Sequence, residues 1–206
     1  MLKAIFFDLD GTIIDTEKVI TETLQQVLKE VLNLTVKTED LTFVLGIPGE
    51  RALDKFTKDP KIKAKIADNW TKKTIKRQNE YQIFPGILKM LNELIPLKIR
   101  TGIVTSQTKH EFEHEFTPFG LNDHFELVVT ASDTTKHKPD PAPIKFALSK
   151  LDISPDQFLY VGDTAYDLKS AHQAGAKFAL AGWGAHEQLQ ESDYLLTKPQ
   201  DLLEIK

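Results

Sequence analysis

Two aspartates separated by one leucine follow the first apolar segment of the chain. Residues 4–7 form a short apolar run that predicts a buried strand, Asp8 and Asp10 come next, and Gly11 can adopt the turn that follows. Residues two apart on an extended chain point to the same side, so the two carboxylates are presented together. Such a pair of like charges requires a cation, a shared proton or both. Aspartates that only cap a turn would show the same spacing. Polar residues elsewhere in the chain must therefore show whether this pair is functional.

Three further groups of polar side chains follow apolar segments. Thr105 and Ser106 end the segment GIVTS, Lys138 lies in KHKPDP, and Asp163 ends LYVGD, with Asp167 four residues later. In a parallel sheet the carboxyl ends of the strands meet at one edge, where open α/β sheets bind their ligands. We therefore expect these five side chains to gather around the two N-terminal aspartates.

This set of side chains suits phosphoryl transfer. Several carboxylates in one place are untenable without a cation, and ligands that offer only oxygen select a hard ion such as Mg²⁺. A hydroxyl and an ammonium group aimed at the same point match the oxygens of a phosphoryl group. One carboxylate can act as the nucleophile, and a second can carry the proton of the leaving group.

The elements that position these residues follow from the periodicity beyond residue 80, where short apolar segments alternate with helical patterns. Predicted strands cover residues 99–105, 125–130, 157–163 and 176–181, and predicted helices cover residues 108–117, 141–151 and 165–174. Such alternation predicts an α/β fold in which a doubly wound, Rossmann-like parallel sheet is covered by helices on both faces.

Residues 16–80 show helical patterns and no strand pattern. A broad apolar stripe runs through residues 19–32, and Pro60 opens a further helix with apolar residues four apart. We predict that this segment is a small all-helical cap, inserted into an α/β catalytic core that consists of residues 1–15 and 81–206.

Composition narrows the function classes. The chain has 206 residues, a formal net charge of −4 and no cysteine. This charge disfavours non-specific nucleic-acid binding, and the lack of cysteine excludes disulfides and thiolate metal sites. No apolar run approaches the ~20 residues of a membrane span, and the first run is too short for a signal peptide. We expect a cytoplasmic monomer or weak dimer that binds a small phosphorylated metabolite and neither nucleic acid nor membrane.

The order of the motifs DxDGT, strand-end threonine, Lys-Pro and GDxxxD resembles the haloacid dehalogenase superfamily of phosphatases. The helical insert after the first motif is similar to the C1-cap subgroup, and within it to phosphoglycolate phosphatase and β-phosphoglucomutase-type proteins. The resemblance covers essentially the whole chain. It implies Mg²⁺-dependent hydrolysis of a small phosphate monoester through an aspartyl-phosphate intermediate.

The resemblance also implies a role for each matching position. Asp8 would be the nucleophile, and Asp10 would be the general acid for the leaving group and then the base that activates water. Thr105, Ser106 and Lys138 would hold the phosphoryl oxygens.

The metal ligands implied by the resemblance are Asp8, Asp163 and the main-chain carbonyl of Asp10. Asp167 and Thr12 would stand behind these ligands, with Asp167 orienting a metal-bound water or the phosphate-binding lysine.

Three departures from the family pattern favour hydrolysis over mutase chemistry. Thr12 stands where the sugar-phosphate mutases tend to have valine, and Ile20 stands where they place a histidine. Gly49 lies near the place of their phosphate-binding arginine, with Arg51 two residues on. In this family the cap loop chooses the leaving group, so we expect Gly46, Glu50 and Arg51 to influence specificity.

Three other functions are compatible with the motifs, and two further interpretations are not favoured. A sugar-phosphate mutase, a pyrophosphatase of the same family and a catalytically silent phosphate-binding protein remain open. A phospho-receiver domain would be shorter, lack the helical insert and carry its lysine last. Residues 110–114 read HEFEH, a formal match to zinc proteases, but the helical period turns His110 and His114 towards solvent.

Overall fold

The computed structural model describes residues 2–47 and 49–205 of the chain. Its strands, in chain order, are β1 (Ala4–Phe7), β2 (Ile14–Asp15), β3 (Gln82–Ile83), β4 (Arg100–Val104), β5 (Leu127–Val129), β6 (Phe158–Gly162), β7 (Lys177–Ala181) and β8 (Tyr194–Leu196). Its α-helices are α1 (Glu17–Leu32), α2 (Gly49–Ala52), α3 (Pro60–Arg77), α4 (Ile87–Leu94), α5 (Lys109–Glu115), α6 (Ala142–Leu151) and α7 (Ala165–Gln173).

The core is a six-stranded parallel sheet in the order β5-β4-β1-β6-β7-β8. Every residue of β1 is buried, and two separate apolar clusters cover the two faces of the sheet. This confirms the predicted doubly wound α/β class, in which central strands are buried on both sides and read as apolar runs. The last strand, β8, was not predicted.

The register of the central strands sets the position of the site. Phe7, the last residue of β1, is level with Ile103 of β4 and Val161 of β6. The residues that follow these three positions therefore emerge together at the carboxyl edge of the sheet, on adjacent strands about 4.8 Å apart.

The helical segment has an apolar core of its own, formed by Leu24, Val27, Leu28, Leu41, Val44, Ala52, Leu53 and Ile66. Helices α1 and α3 pack against each other, and residues Thr38–Gly46 form 3₁₀ turns beside α1. Helix α3 begins as the sequence indicates, because the Asp59 carboxylate accepts a hydrogen bond from Lys61 N at 2.8 Å and Pro60 occupies the first turn.

The two chain crossings between the helical segment and the core run side by side. β2 and β3 pair antiparallel, with Ile14 opposite Ile83 and Asp15 opposite Gln82. The sequence places the crossings there but does not reveal the pairing, since two-residue strands are too short to show a period. Within the described residues no helix combines the length and apolar character that crossing a membrane requires.

Candidate active site

The DxDGT segment forms a tight turn at the end of β1. Asp8 N donates to Val161 O at 2.8 Å, which ties the first aspartate to the neighbouring strand. Gly11 has φ +76°, and a Cβ there would lie 2.2 Å from Asp163 Oδ2. Glycine is therefore required both by the left-handed backbone and by the close approach of the Asp163 carboxylate.

A buried lysine joins two of the predicted aspartates. Lys138 Nζ lies 2.8 Å from Asp8 Oδ1 and 2.7 Å from Asp167 Oδ1, and it donates to Tyr160 OH at 3.1 Å. The lysine side chain is only 1 % exposed. Burial alone lowers the pKa of Lys138, but the two carboxylates outweigh this effect and raise the pKa above its ordinary value. The lysine is therefore held as an ammonium ion.

Three carboxylates converge at this point. Asp8, Asp163 and Asp167 each offer an oxygen within 4.8 Å of the others, and all three residues are buried. Thr12 Oγ1 donates to Asp163 Oδ1 at 3.0 Å. Burial, followed by the charges of Asp167 and Asp8, raises the pKa of Asp163 well above its ordinary value.

The pKa of Asp8 is also raised, first by burial and despite the attraction of Lys138. One ammonium group faces three carboxylates, so the cluster lacks positive charge. Oxygen donors with an excess of negative charge are what a hard divalent cation such as Mg²⁺ requires. The residues present therefore fit this ion.

Asp10 turns its carboxylate away from the cluster. It accepts hydrogen bonds from Thr16 Oγ1 at 2.8 Å and from Gln107 Nε2 at 3.0 Å. Burial raises the pKa of Asp10 to about 6, while the hydrogen bonds from Thr16 and Gln107 oppose that rise. A carboxyl group with this pKa can both donate and accept a proton near neutral pH.

The loop after β4 carries the predicted hydroxyl residues. Thr105 is buried, its N donates to Val129 O at 2.9 Å, and its Oγ1 accepts from Gln107 N at 3.1 Å. Ser106 lines the cavity in which Asp10 lies. The predicted residues thus share one region: the lysine and three aspartates form the cluster, and Ser106 and Asp10 stand beside it.

Gln107 and Glu115 belong to the site although the sequence does not point to them. Gln107 Nε2 lies between the Asp10 carboxylate and Glu115 Oε2, which is 3.2 Å away. Burial, reinforced by the charges of Asp10 and Glu111, raises the pKa of Glu115 to about 8. The available signal was the period of α5, in which Glu115 follows the buried Phe112 by three residues and shares its face.

The loop after β7 also contributes to the site. Trp183 Nε1 donates to Thr12 O at 2.9 Å. A Cβ on Gly184 would lie 1.8 Å from Gly11 O, so this loop packs directly on the DxDGT turn. The sequence alone does not reveal this close contact.

A cavity of about 350 Å³ lies between the helical segment and the core, beside Asp10. Its helical side is mainly apolar and includes Ile20, Val44, Leu45, Ile47, Ala67 and Trp70. Its core side is polar and includes Asp10, Ser106, Gln107, Glu111, Glu115 and His137. No lysine or arginine is found among its lining residues, as far as the chain is described.

The predicted specificity loop reaches this cavity through Gly49. Arg51 is exposed and lines a separate groove with Lys136 and Asp140. The surroundings of Gly46 and of the Glu50 side chain lie outside the described part of the structure. The prediction that these two residues influence specificity therefore stays a prediction.

The histidines of the HEFEH segment face solvent, as their helical period predicts. His110 and His114 are exposed and stack on each other with ring centroids 4.1 Å apart. The group of described residues that could hold a metal consists of the three clustered aspartates and does not include these histidines.

Comparison with known proteins agrees with this geometry. The family model for haloacid dehalogenase-like hydrolases matches residues 5–181. Pyrophosphatase PpaX of Bacillus velezensis is 32 % identical over 209 residues, which cover 98 % of this chain and 95 % of the relative. Pyrophosphatase PpaX of Oceanobacillus iheyensis is 30 % identical over 196 residues, which cover 94 % of this chain and 88 % of the relative.

Solved structures show the same fold. A protein of Lactobacillus plantarum that carries the provisional name phosphoglycolate phosphatase superposes with a TM-score of 0.90 at 26 % identity, covering 99 % of both chains. CbbY of Rhodobacter sphaeroides, solved with xylulose-1,5-bisphosphate, superposes with a TM-score of 0.82 at 22 % identity, covering 98 % of this chain and 96 % of CbbY.

Proposed function

The chain belongs to the haloacid dehalogenase-like hydrolase family and is a phosphate hydrolase, and on this premise we propose that it cleaves a small phosphate monoester through a phosphorylated Asp8. The observation that carries the proposal is the buried ion pair between Asp8 Oδ1 and Lys138 Nζ, 2.8 Å apart, within a cluster of three carboxylates. A nucleophilic carboxylate beside a fixed ammonium group is the arrangement that phosphoryl transfer to an aspartate needs.

Asp8 and Asp10 divide the chemistry. A carboxylate oxygen of Asp8 attacks phosphorus, and the bond between phosphorus and the leaving-group oxygen breaks while Asp10 gives that oxygen its proton. Water then attacks phosphorus and displaces Asp8, and Asp10 takes the proton from the water. The pKa of Asp10, about 6, and its place beside the cavity support this role.

Lys138, Thr105 and Ser106 hold the phosphoryl oxygens in this proposal. Lys138 is fixed by Asp167 and Tyr160, so its charge is positioned before substrate arrives. Preorganised charge of this kind lowers the barrier because it needs no rearrangement during the reaction.

Asp8, Asp163 and the main-chain carbonyl of Asp10 would hold Mg²⁺, and Thr12 and Asp167 would orient the surrounding groups. When bound, Mg²⁺ supplies positive charge that neutralises the phosphoryl oxygens and the carboxylates. The hydrogen bond from Thr12 to Asp163 fixes the orientation of that carboxylate.

Inorganic pyrophosphate is a second candidate substrate, because two relatives at 30 % and 32 % identity are named pyrophosphatases. A mutase is less well supported, since Ile20, which lines the cavity, offers no group that could transfer a proton. We further propose that the enzyme acts in the cytoplasm as a monomer or weak dimer, without nucleic-acid or membrane partners.

The test is hydrolysis of 4-nitrophenyl phosphate with and without Mg²⁺, for the wild type and for Asp8→Asn. We expect turnover that requires Mg²⁺ and Asp8, and a phosphoenzyme that can be trapped by acid quench. Asp68→Asn, which changes an exposed aspartate paired with Lys72, is the matched control and should retain full activity. Equal rates with and without Mg²⁺ and in all three proteins would refute the proposal.

A further inference from the structure

The cavity beside Asp10 is poor in positive charge. Glu111, Glu115 and Asp10 line its core side, and among the described residues neither lysine nor arginine does so. Lys138, the cation of the site, is buried below, in ion pairs with Asp8 and Asp167. A second negative group on a substrate would therefore enter a space that offers acidic side chains and, among the described residues, no cation.

The buried Glu115 shows that this cavity disfavours negative charge. The pKa of Glu115 is raised to about 8 by burial and by the charges of Asp10 and Glu111. The physical cause applies equally to a ligand, because burial without a nearby cation disfavours any anion.

An unpartnered acceptor adds an independent observation. Gln107 lines the cavity and is 8 % exposed, and its Oε1 is buried without a hydrogen-bond partner among the described residues. The orientation of this amide is fixed, because its Nε2 faces the carboxylates of Asp10 and Glu115. Oε1 therefore lacks a donor, and a buried acceptor without one is costly.

The helical side of the cavity is mainly apolar, with Thr71 and Thr74 as its polar residues. Ile20, Ile47 and Trp70 lie there, and Gly49 adds no charge. A Cβ on Gly49 would lie 3.1 Å from the Trp70 ring, so the ring occupies the space beside this glycine.

From this cavity we infer that the leaving group is a small alcohol without negative charge, which carries a hydrogen-bond donor and an apolar face. The inference rests on the proposed function, since it concerns the part of the substrate that leaves when Asp8 is phosphorylated. It favours uncharged alcohols over phosphate and carboxylate leaving groups. The substrate of this chain would then differ from pyrophosphate and phosphoglycolate, the substrates after which its relatives are named.

The test uses two substrates of nearly equal size and shape, phosphoglycolate and the phosphate ester of glycolamide. Phosphoglycolate carries a carboxylate, whereas the glycolamide ester carries a neutral carboxamide that offers N–H donors. We expect kcat/KM for the amide to exceed that for phosphoglycolate by at least about tenfold, since like charges placed together at a recognition site oppose binding. Inorganic pyrophosphate should rank with phosphoglycolate.

Two variants on α5 test whether a charge that lines the cavity produces the preference for the amide. Glu111→Gln removes one lining charge while its amide oxygen can still accept the capping hydrogen bonds from Thr108, and it should reduce the amide-to-acid ratio severalfold by improving phosphoglycolate turnover. Glu113→Gln removes an exposed charge on the same helix and should leave the ratio unchanged.

A ratio near or below one overturns the inference, as does an equal response of the two variants. Turnover of 4-nitrophenyl phosphate by the same preparations distinguishes the two levels of failure. If this ester, whose aryl group carries no anion of its own, is hydrolysed through Asp8 and phosphoglycolate is still preferred, only the inference fails. If the aryl ester is not hydrolysed, the proposed function fails and takes the inference with it.

Discussion

The carboxylate cluster at the strand ends and the cavity under the helical cap meet at Asp10, yet their side chains are held in different ways. In the cluster, neighbouring strands in fixed register and one buried lysine hold every charge within hydrogen-bond distance of another group. In the cavity, apolar side chains of the cap face core residues that include unpartnered polar atoms. The side chains of the first region hold one another in place without substrate. The second region, as far as it is described, contains buried polar atoms without hydrogen-bond partners, which a ligand could supply.

This difference matches a division of labour. Groups that act on every substrate need preorganisation, and a sheet edge provides it because the strands cannot shift independently. The apolar wall of the cavity lies on a separately packed helical unit, which is joined to the core by the paired strands β2 and β3. Two adjacent crossings of this kind are suited to hinge motion.

The largest expected effect comes from removing the cation of the cluster. Lys138→Met leaves Asp8 and Asp167 buried without their shared ammonium partner, so we expect a loss of about 3–5 kcal/mol in the free energy of unfolding, together with loss of activity. Urea unfolding in EDTA and 4-nitrophenyl phosphate turnover measure the two effects. Lys136→Met removes an exposed lysine two residues away and should change stability by less than about 0.5 kcal/mol. Similar losses for both variants would show that Lys138 does not balance the cluster.

The second prediction distinguishes the proposed proton-transfer role of the Asp10 carboxyl group from the proposed metal-binding role of Asp163. Asp10→Asn should lower kcat by about 10²–10⁴ and leave Mg²⁺ affinity unchanged, because the proposed metal ligand there is the main-chain carbonyl. Asp163→Asn should instead weaken Mg²⁺ binding, since its carboxylate lies in the cluster. Calorimetric titration measures the Mg²⁺ affinity of both variants, and steady-state kinetics measure their kcat. If Asp10→Asn weakened Mg²⁺ binding and Asp163→Asn did not, the two roles would have to be exchanged.

The predictability of the two regions also differs, for a physical reason. The positions of Asp8 and Asp163 were predictable because each directly follows a buried strand, and parallel register brings such ends together. Lys138 lies nine residues after β5, and its Lys-Pro motif indicated it instead. Gln107 and Glu115 were not predictable, because an amide in a loop and an acid on a charged helix are most often solvated. The β4–α5 loop places Gln107 beside Asp10, and the packing of α5 against the core places Glu115 behind it.

Short or irregular elements limited the prediction of the fold as well. The strands β2 and β3 have two residues each, too few for an alternating pattern, and β8 follows an irregular loop at the edge of the sheet. The cap loop could be located from its glycines, but which of its side chains line the cavity depends on backbone geometry. Gly49 lines it, whereas Arg51 faces a neighbouring groove.

The third prediction concerns the pH dependence of stability. The pKa of Glu115 rises from 4.5 in the unfolded chain to about 8 in the folded protein, so the folded state binds the proton more tightly. The resulting stabilisation is complete below pH 4.5 and is lost as the pH rises towards 8. Glu115→Gln stays neutral throughout. Between pH 5 and 8.5 the unfolding free energy of the wild type should therefore fall by about 3–4 kcal/mol more than that of Glu115→Gln.

Chemical unfolding at several pH values in EDTA measures this difference. Glu113→Gln, an exposed position on the same helix, should follow the wild type. Parallel pH profiles for the wild type and Glu115→Gln would mean that the carboxyl group of Glu115 is not destabilised by burial.

The smallest effects are expected on the helical side of the cavity, and they should change substrate choice without touching the metal. Trp70 lines the cavity and Arg51 lies outside its described lining, although the two residues belong to the same cap. Trp70→Leu removes part of the apolar wall and should lower kcat/KM for 4-nitrophenyl phosphate by about tenfold, the usual worth of a few apolar contacts to a substrate. Arg51→Ala should change it by less than about threefold, because an exposed charge acts mainly through screened, long-range attraction. The Mg²⁺ concentration for half-maximal activity should be equal in both variants and in the wild type, since neither residue approaches the carboxylate cluster. A larger effect of Arg51→Ala than of Trp70→Leu would mean that the cap moves Arg51 over the substrate during turnover, and that the apolar wall does not select the leaving group.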